Sequence, residues 1–293
     1  MPVKFKESIP QKLFNLFNIF FMICLMGVTI YPMLHVLFAS LSNAPLLMKH
    51  QGLLLMPEGF STDAYIAVFK NEMIPLGYRN TLFIVTVGVA VNLILTSLGA
   101  YYLSRKDQFL VKYIMMFVVF TMFFSGGMIP SYLNVKQLGI DNTLWALIFP
   151  VGISTFNLII LRTSFLGIPD SLDESAKLDG AGHWTILTRI YIPLSKAVLA
   201  VLVLYYGVGH WNAWFNAMIY LRNRDLYPLQ LILREILIAN DTSSMLQINA
   251  DVNQVAETIK YAVVIVATAP ILCLYPFLQK YFVKGVLIGA VKG

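Results

Sequence analysis

The sequence is short of charge. Only 12% of its 293 residues are Asp, Glu, Lys or Arg, about half the ~25% of an ordinary soluble domain. That is too little to solvate a globular surface, and 58% of the residues are hydrophobic, with mean hydropathy +0.72. Length alone would allow one or two soluble domains. This composition favours one all-α membrane bundle instead, a single domain over residues 1–293.

Cysteine is equally scarce. Cys24 and Cys273 each lie inside a long apolar stretch, where they read as small packing residues and not as disulfide staples. The four histidines, His35, His50, His183 and His210, lack metal-ligand spacing, so no metal site is expected. His183 reads as a solvated turn residue, and His210 as structural or pore-lining. The sequence nowhere contains G-x-x-x-x-G-K-[ST], so it has no phosphate-binding loop of its own for ATP. No catalytic residue is assigned. Low-complexity tracts and sequence repeats are absent too.

What charge there is leans positive, with a net +6 and a pI of about 9.2. The basic residues sit in short runs between apolar segments, not on one polar domain, so nucleic-acid binding is not expected. The membrane bias toward cytoplasmic Lys and Arg explains the excess.

Six charge-free stretches are present: 13–48, 80–104, 113–135, 142–161, 197–221 and 261–279. Each reaches or nearly reaches the ~20 residues that cross a hydrocarbon core as a helix. Prolines 32, 130, 150, 270 and 276 lie within or near their ends and suggest kinks. Residues 1–12 are basic, but the apolar run that follows exceeds a signal-peptide core of ~7–15 residues, so a retained first span is expected. With the N-terminus inside, 13 of the 21 basic residues fall on the cytoplasmic side: Lys4, Lys6, Lys12, Arg105, Lys106, Lys112, Arg162, Lys177, Arg189, Lys196, Lys280, Lys284 and Lys292. Both termini are therefore expected in the cytoplasm. Outer loops are expected over 49–79, with a short amphipathic stretch at 64–69, and over 222–260.

The longest cytoplasmic connection, 167–193, carries the most structure. Pro169 ends one helix. Ser171 and Glu174 match the Ser-x-x-Glu capping box, and Asp173 and Glu174 suit a helix N-terminus. A short helix should run to Leu178 or Asp179, where Gly180-Ala181-Gly182 breaks it. A second helix from Trp184 places Trp184, Leu187 and Tyr191 on one apolar stripe, and Pro193 closes it. The result is a helix–turn–helix with a small-residue tip, suited to a partner's groove.

This loop resembles the E-A-A-x-x-x-G signature of ABC importer permeases. Glu174-Ser175-Ala176 stands three residues before Gly180, with Asp179 and Ala181 flanking the glycine and Ile190-Tyr191-Ile192-Pro193 about ten residues later. Ser175 replaces the first alanine of the pattern and Ile192 its leucine. Further matches to the sugar-importer branch are Asn80-Thr81, Gly126 to Tyr132, Trp145 to Pro150, Tyr227-Pro228-Leu229-Gln230 and the tail from Pro276 to Phe282 through Lys292-Gly293. The branch includes the smaller permease of maltose-type importers, and complex-oligosaccharide permeases, alginate-type among them, look closest.

The resemblance implies a multi-pass subunit of the bacterial inner membrane. It implies a second homologous permease, two ATPase subunits and an extracytoplasmic sugar-binding protein as partners. ATP and Mg would bind the ATPases and no cofactor this chain. Glu174, Ser175, Ala176, Asp179, Gly180 and Ala181 would form the coupling helix that docks into an ATPase cleft. The segment His210 to Asn216 offers two readings. Its aromatics suit interfacial anchoring, while Trp211, Asn212, Trp214 and Asn216 together suit a sugar path, by stacking and amide hydrogen bonds. The resemblance also implies that the partner permease makes most sugar contacts. The rival classes are a non-ABC secondary transporter or channel, and an intramembrane enzyme. The charge-free stretches supply neither the carboxylates of ion-coupled transport nor paired catalytic groups.

Overall fold

The computed structural model describes residues 8–105, 108–245, 258–273 and 276. Among them the chain is helical, with one isolated bridge, Ser42 to Phe60, and no strand. The helices are α1 Ile9–Ser40, α2 Ala44–Lys49, α3 Asp63–Lys70, α4 Met73–Ser104, α5 Val111–Phe123, α6 Met128–Gln137, α7 Thr155–Leu166, α8 Asp170–Leu178, α9 His183–Ile186, α10 Ile192–Leu194, α11 Lys196–Trp211, α12 Trp214–Tyr220, α13 Leu229–Met245 and α14 Thr258–Cys273. A π-helical turn, Leu187–Tyr191, joins α9 to α10. The chain forms two compact units, residues 1–70 with 236–266, and 71–235 with 267–293.

In the first unit, α1 is 32 residues long, about 48 Å. Its most apolar window is entirely unburied within the molecule. Phe14, Phe17, Phe20 and Met26 all stand exposed. A helix apolar all round requires an apolar solvent, and α1 spans a bilayer with length to spare. Its end is tied back by Asn43 N–H, which donates to the carbonyls of Glu58 and Gly59, both at 2.8 Å.

In the second unit, α4 is the element against which α7 and α11 pack. Its buried face is a stripe at near-i+4 spacing in which only Ile84 is large and apolar: Gly77, Asn80, Ile84, Gly88, Asn92, Thr96 and Ala100. This inverts the pattern of a soluble helix. Lipid tails are as apolar as Leu, so membrane helices associate through close backbone approach and shared hydrogen bonds. Asn80 Nδ2 donates to the carbonyls of Asp225 (2.7 Å) and Tyr227 (3.1 Å), and Thr81 Oγ1 accepts from Leu229 N–H (2.8 Å). Two matched segments far apart in sequence, 80–81 and 227–230, thus form one joint. One apolar core gathers Tyr101, Leu103, Phe165, Ile186, Leu187, Tyr191 and Leu202. Another gathers Ile84, Val135, Leu147, Ile148, Tyr220 and Leu231.

Several expected spans are not straight. Among the described residues only α1 and α4 are continuous helices long and apolar enough to cross alone; α5 with α6 is bent by 118°, the 144–151 turns with α7 by 51°, and 183–194 with α11 by 85°. Counting each bent pair as one span gives five among the described residues. The sharpest break falls at Gly127, whose φ of +85° suits a residue without Cβ. That leaves α5 with 13 residues, about 20 Å, short of a ~30 Å core. The fifth stretch also breaks, at Asn212 and Ala213 between α11 and α12. The sixth is α14; residues 274–275 and 277–279 lie outside the described residues. The amphipathic stretch at 64–69 is α3, whereas α4 begins at Met73, inside the expected 49–79 loop. The expected 222–260 loop contains α13; residues 246–257 lie outside the described residues.

Candidate functional site

The 167–193 loop folds as a helix, a tight turn and a second helix. Helix α8 starts one residue after Pro169, with Asp170 and Asp173 in its first turn. The Ser171–Glu174 capping box does not form, because helix begins before Ser171 and no side chain caps it. The C-terminus of α8 closes with two reversed bonds. Ala181 N–H donates to Ala176 O (2.9 Å) and Gly180 N–H to Lys177 O (3.0 Å). With Gly180 at φ +80°, this is the Schellman geometry. It gives the Ala176, Gly180 and Ala181 pattern a physical basis. Gly180 supplies the left-handed residue, and the two alanines, half-buried, pack against the Tyr101–Tyr191 core. Of the small side chains expected at the tip's surface, Ala176 and Ala181 therefore pack inward, while Ser175 stays exposed. The exposed side of α8 and its cap carries Glu174, Ser175, Leu178 and Asp179, with Leu178 at 89%, together with Asp170, Ser171, Leu172 and Lys177.

The expected stripe on the second helix divides. Leu187 and Tyr191 are buried, but Trp184 is 66% exposed. Trp184 lies on α9, one turn before the π turn that carries Leu187 and Tyr191.

The buried side of α8 is held by charge. The Asp173 carboxylate pairs with the Arg105 guanidinium at 2.5 Å through Oδ1 and with Lys177 Nζ at 3.0 Å through Oδ2. Arg105 is itself buried, immediately beyond α4, with its guanidinium carbon 4.8 Å from the Tyr101 ring centroid. Its Nη2 lies 3.1 Å from His183 Nδ1. A guanidinium only donates, so Nδ1 accepts; Tyr101 OH lies 3.1 Å from the same nitrogen. His183 is thus a partner in the cluster, not merely a turn residue. Burial would raise the Asp173 carboxyl, but hydrogen bonds and charge from Arg105 and Lys177 outweigh it and hold the group below the usual carboxylate range. In sequence Arg105 read only as one of the cytoplasmic basic residues. The legible fragment was Asp173 with Lys177, four residues apart.

A second polar constellation lies midway along α4. Asn92 is fully buried, about 28 Å from one end of the helix and about 18 Å from the other at 1.5 Å per residue. Its Nδ2 donates to the carbonyls of Val151 (2.7 Å) and Gly152 (2.9 Å), and its Oδ1 accepts from His210 Nε2 (2.7 Å). A Cβ at Gly88 would meet the His210 ring at 2.6–3.0 Å, so the glycine allows the imidazole to lie against α4. Tyr206 OH accepts from Ser154 N–H (3.0 Å) and pairs with Thr96 Oγ1 (2.7 Å). Broken backbone at membrane depth needs such partners. Beside it lies a cavity of about 600 Å³.

Of the four residues expected on a sugar path, only Asn216 lines this cavity. Trp211 is buried, its Nε1–H donates to Ala267 O (3.2 Å), and its ring meets Tyr78 edge-on. Trp214 lies under the Arg234 guanidinium, 3.8 Å away. Asn212 Nδ2 turns back to Val208 O (3.0 Å).

Residues 100–288 match the family described as the binding-protein-dependent transport system inner membrane component. The chain belongs to this family of ABC transporter permeases and is an integral membrane subunit. It is 40% identical over 285 residues to the polygalacturonan/rhamnogalacturonan transport system permease protein YtcP of Bacillus subtilis, covering 97% of this chain and 99% of that one. It is 41% identical over 286 residues to protein LplC of the same organism, covering 96% of each. Among solved structures it resembles, with TM-score 0.87 and 29% identity over 95% of this chain and 100% of the other, a chain of a bacterial ABC transporter involved in the import of the acidic polysaccharide alginate.

Proposed function

We propose that this permease carries an oligosaccharide across the inner membrane, with uronate-bearing oligosaccharides as its first cargo to test. The observation that carries the reading is the 40% identity, over nearly the whole chain, to a polygalacturonan/rhamnogalacturonan permease. The likeness to a chain of the alginate importer supports it. A second, homologous permease completes the path, an extracytoplasmic binding protein delivers the sugar, and two ATPases supply the drive. ATP and Mg bind those ATPases and not this chain. Both termini face the cytoplasm, on the Lys and Arg asymmetry.

The 167–193 loop is the coupling element in this reading. Glu174, Ser175, Leu178 and Asp179 present a mixed polar and apolar surface to the ATPase, and Trp184 on the second helix is exposed as well. Gly180, Ala176 and Ala181 set its shape. The buried Asp173–Arg105 pair ties α8 to the end of α4, so displacement of α8 by the ATPases is carried into the helix that supports the cavity. The test is reconstitution of the whole importer in proteoliposomes with ATP inside and radiolabelled trigalacturonate, alginate trisaccharide or maltotriose outside. Binding-protein-dependent uptake of a uronate sugar supports the proposal. Uptake of maltotriose alone would overturn the cargo, and uptake of none would overturn carbohydrate import.

A further inference from the structure

Polar groups at mid-membrane depth are expensive unless they serve a path or one another. The Asn92 cluster leaves several polar atoms unused by the fold. Asn157, on the first turn of α7, is only 5% exposed, lines the cavity, and its carboxamide bonds to no other described residue. On α12, the half-buried Asn216 also lines the cavity, and its carboxamide too bonds to no other described residue. His210 spends Nε2–H on Asn92, so Nδ1 is the lone-pair nitrogen of a side chain that borders the same space. The rings of Phe156 and Tyr205, centroids 6.3 Å apart, supply apolar wall. No Lys, Arg, Asp or Glu is among the described lining residues.

These groups match one ligand chemistry. Two carboxamides can each donate and accept, an imidazole nitrogen accepts, and aromatic faces take C–H surface. That set suits a polyhydroxylated pyranose ring. It lacks the cations that would trap a carboxylate and the carboxylates that would hold a metal. The volume falls within the ~300–1,000 Å³ of small-molecule sites. Resting on the oligosaccharide-import reading above, we infer that Asn157, His210 and Asn216 form a sugar-ring contact site by which this subunit itself holds the cargo midway across the membrane. Neutral donors and acceptors hold a passing sugar without a charge trap, as conduction requires.

The test uses the complete importer, with Cys24 and Cys273 replaced by serine and whichever of the three trisaccharides the wild type imports. In an Asn216→Cys variant, that sugar with its binding protein should slow labelling of the new thiol by a small, membrane-impermeant reagent by about fivefold or more, and glutamate at equal concentration should not. Asn157→Leu should lower uptake about tenfold, the worth of one lost hydrogen bond at its upper range, with ATPase co-purification retained. Unprotected labelling together with full uptake in Asn157→Leu would remove the cavity from the sugar path while leaving import intact. A wild type that imports none of the three sugars would sink the import reading and this site with it.

Discussion

The Arg105–Asp173 pair should behave as a coupled latch whose two halves fail unequally. Asp173→Leu strands a guanidinium that cannot shed its proton, with Arg105 only 6% exposed at its side chain. Removing one partner of a buried pair costs about 3–5 kcal/mol. We take about 3 kcal/mol, because His183 Nδ1 and the Tyr101 ring still face the cation. Arg105→Met is milder, about 1–2 kcal/mol, since Lys177, 43% exposed, still neutralises the carboxylate. The double variant should lose less than the sum of the singles, by about 1–2 kcal/mol. Hydrogen exchange on the α8 amides in the purified complex reads this directly. Asp173→Leu should speed exchange about a hundredfold, at 1.36 kcal/mol per tenfold, while α1 stays unchanged. Strict additivity in the double variant would refute the latch. The pH dependence has a fixed sign. The folded Asp173 carboxyl lies below its unfolded value, so protection is full above the unfolded ~3.9. It is lost only as pH falls below that toward the folded value.

Gly180 tests conformation separately from bulk. A Cβ there meets nothing within 4 Å, so Gly180→Ala should cost only the left-handed penalty, about 1–2 kcal/mol. Gly180→Asn should preserve ATPase co-purification, since Asn tolerates that conformation, and Gly180→Val should abolish it. Glu174→Lys should leave membrane insertion intact but remove uptake, checked by fractionation beside a transport assay. A reporter fused after Lys292 should be cytoplasmic and one within Asn240–Asn249 extracytoplasmic; the reverse pattern would overturn the orientation.

Sequence and structure agree where one signal dominates. Long charge-free runs marked every apolar helix, because burial in lipid leaves no other choice of backbone. Gly180 marked the turn, because few residues accept positive φ. Pro130 hinted at a kink in the third stretch, but neither the sharpness of the Gly127 break nor the break at Asn212 was legible, since an apolar run looks the same straight or bent. The joints were hidden for a different reason. Asn92 and His210, or Arg105 and Asp173, are distant in sequence, and each alone resembles an ordinary polar residue. Trp211 and Trp214 read two ways in sequence because aromatic and amide residues suit packing and sugar contact equally. Only their hydrogen-bond and ring partners, Ala267 and Arg234, distinguish the two.

Site-specific cross-linking tests most directly the claim that α8 is the surface on which the ATPase acts. Single cysteines at Ser175, Leu178 and Ala176, with Cys24 and Cys273 replaced by serine, would each be joined to the co-expressed ATPase by a short thiol-to-amine reagent. Ser175 and Leu178 are exposed, whereas Ala176 packs against the Tyr101–Tyr191 core. The account predicts strong cross-links from Ser175→Cys and Leu178→Cys, altered by ATP, and little from Ala176→Cys. Absence of any cross-link from the two exposed positions, in a complex that still imports its sugar, would contradict it.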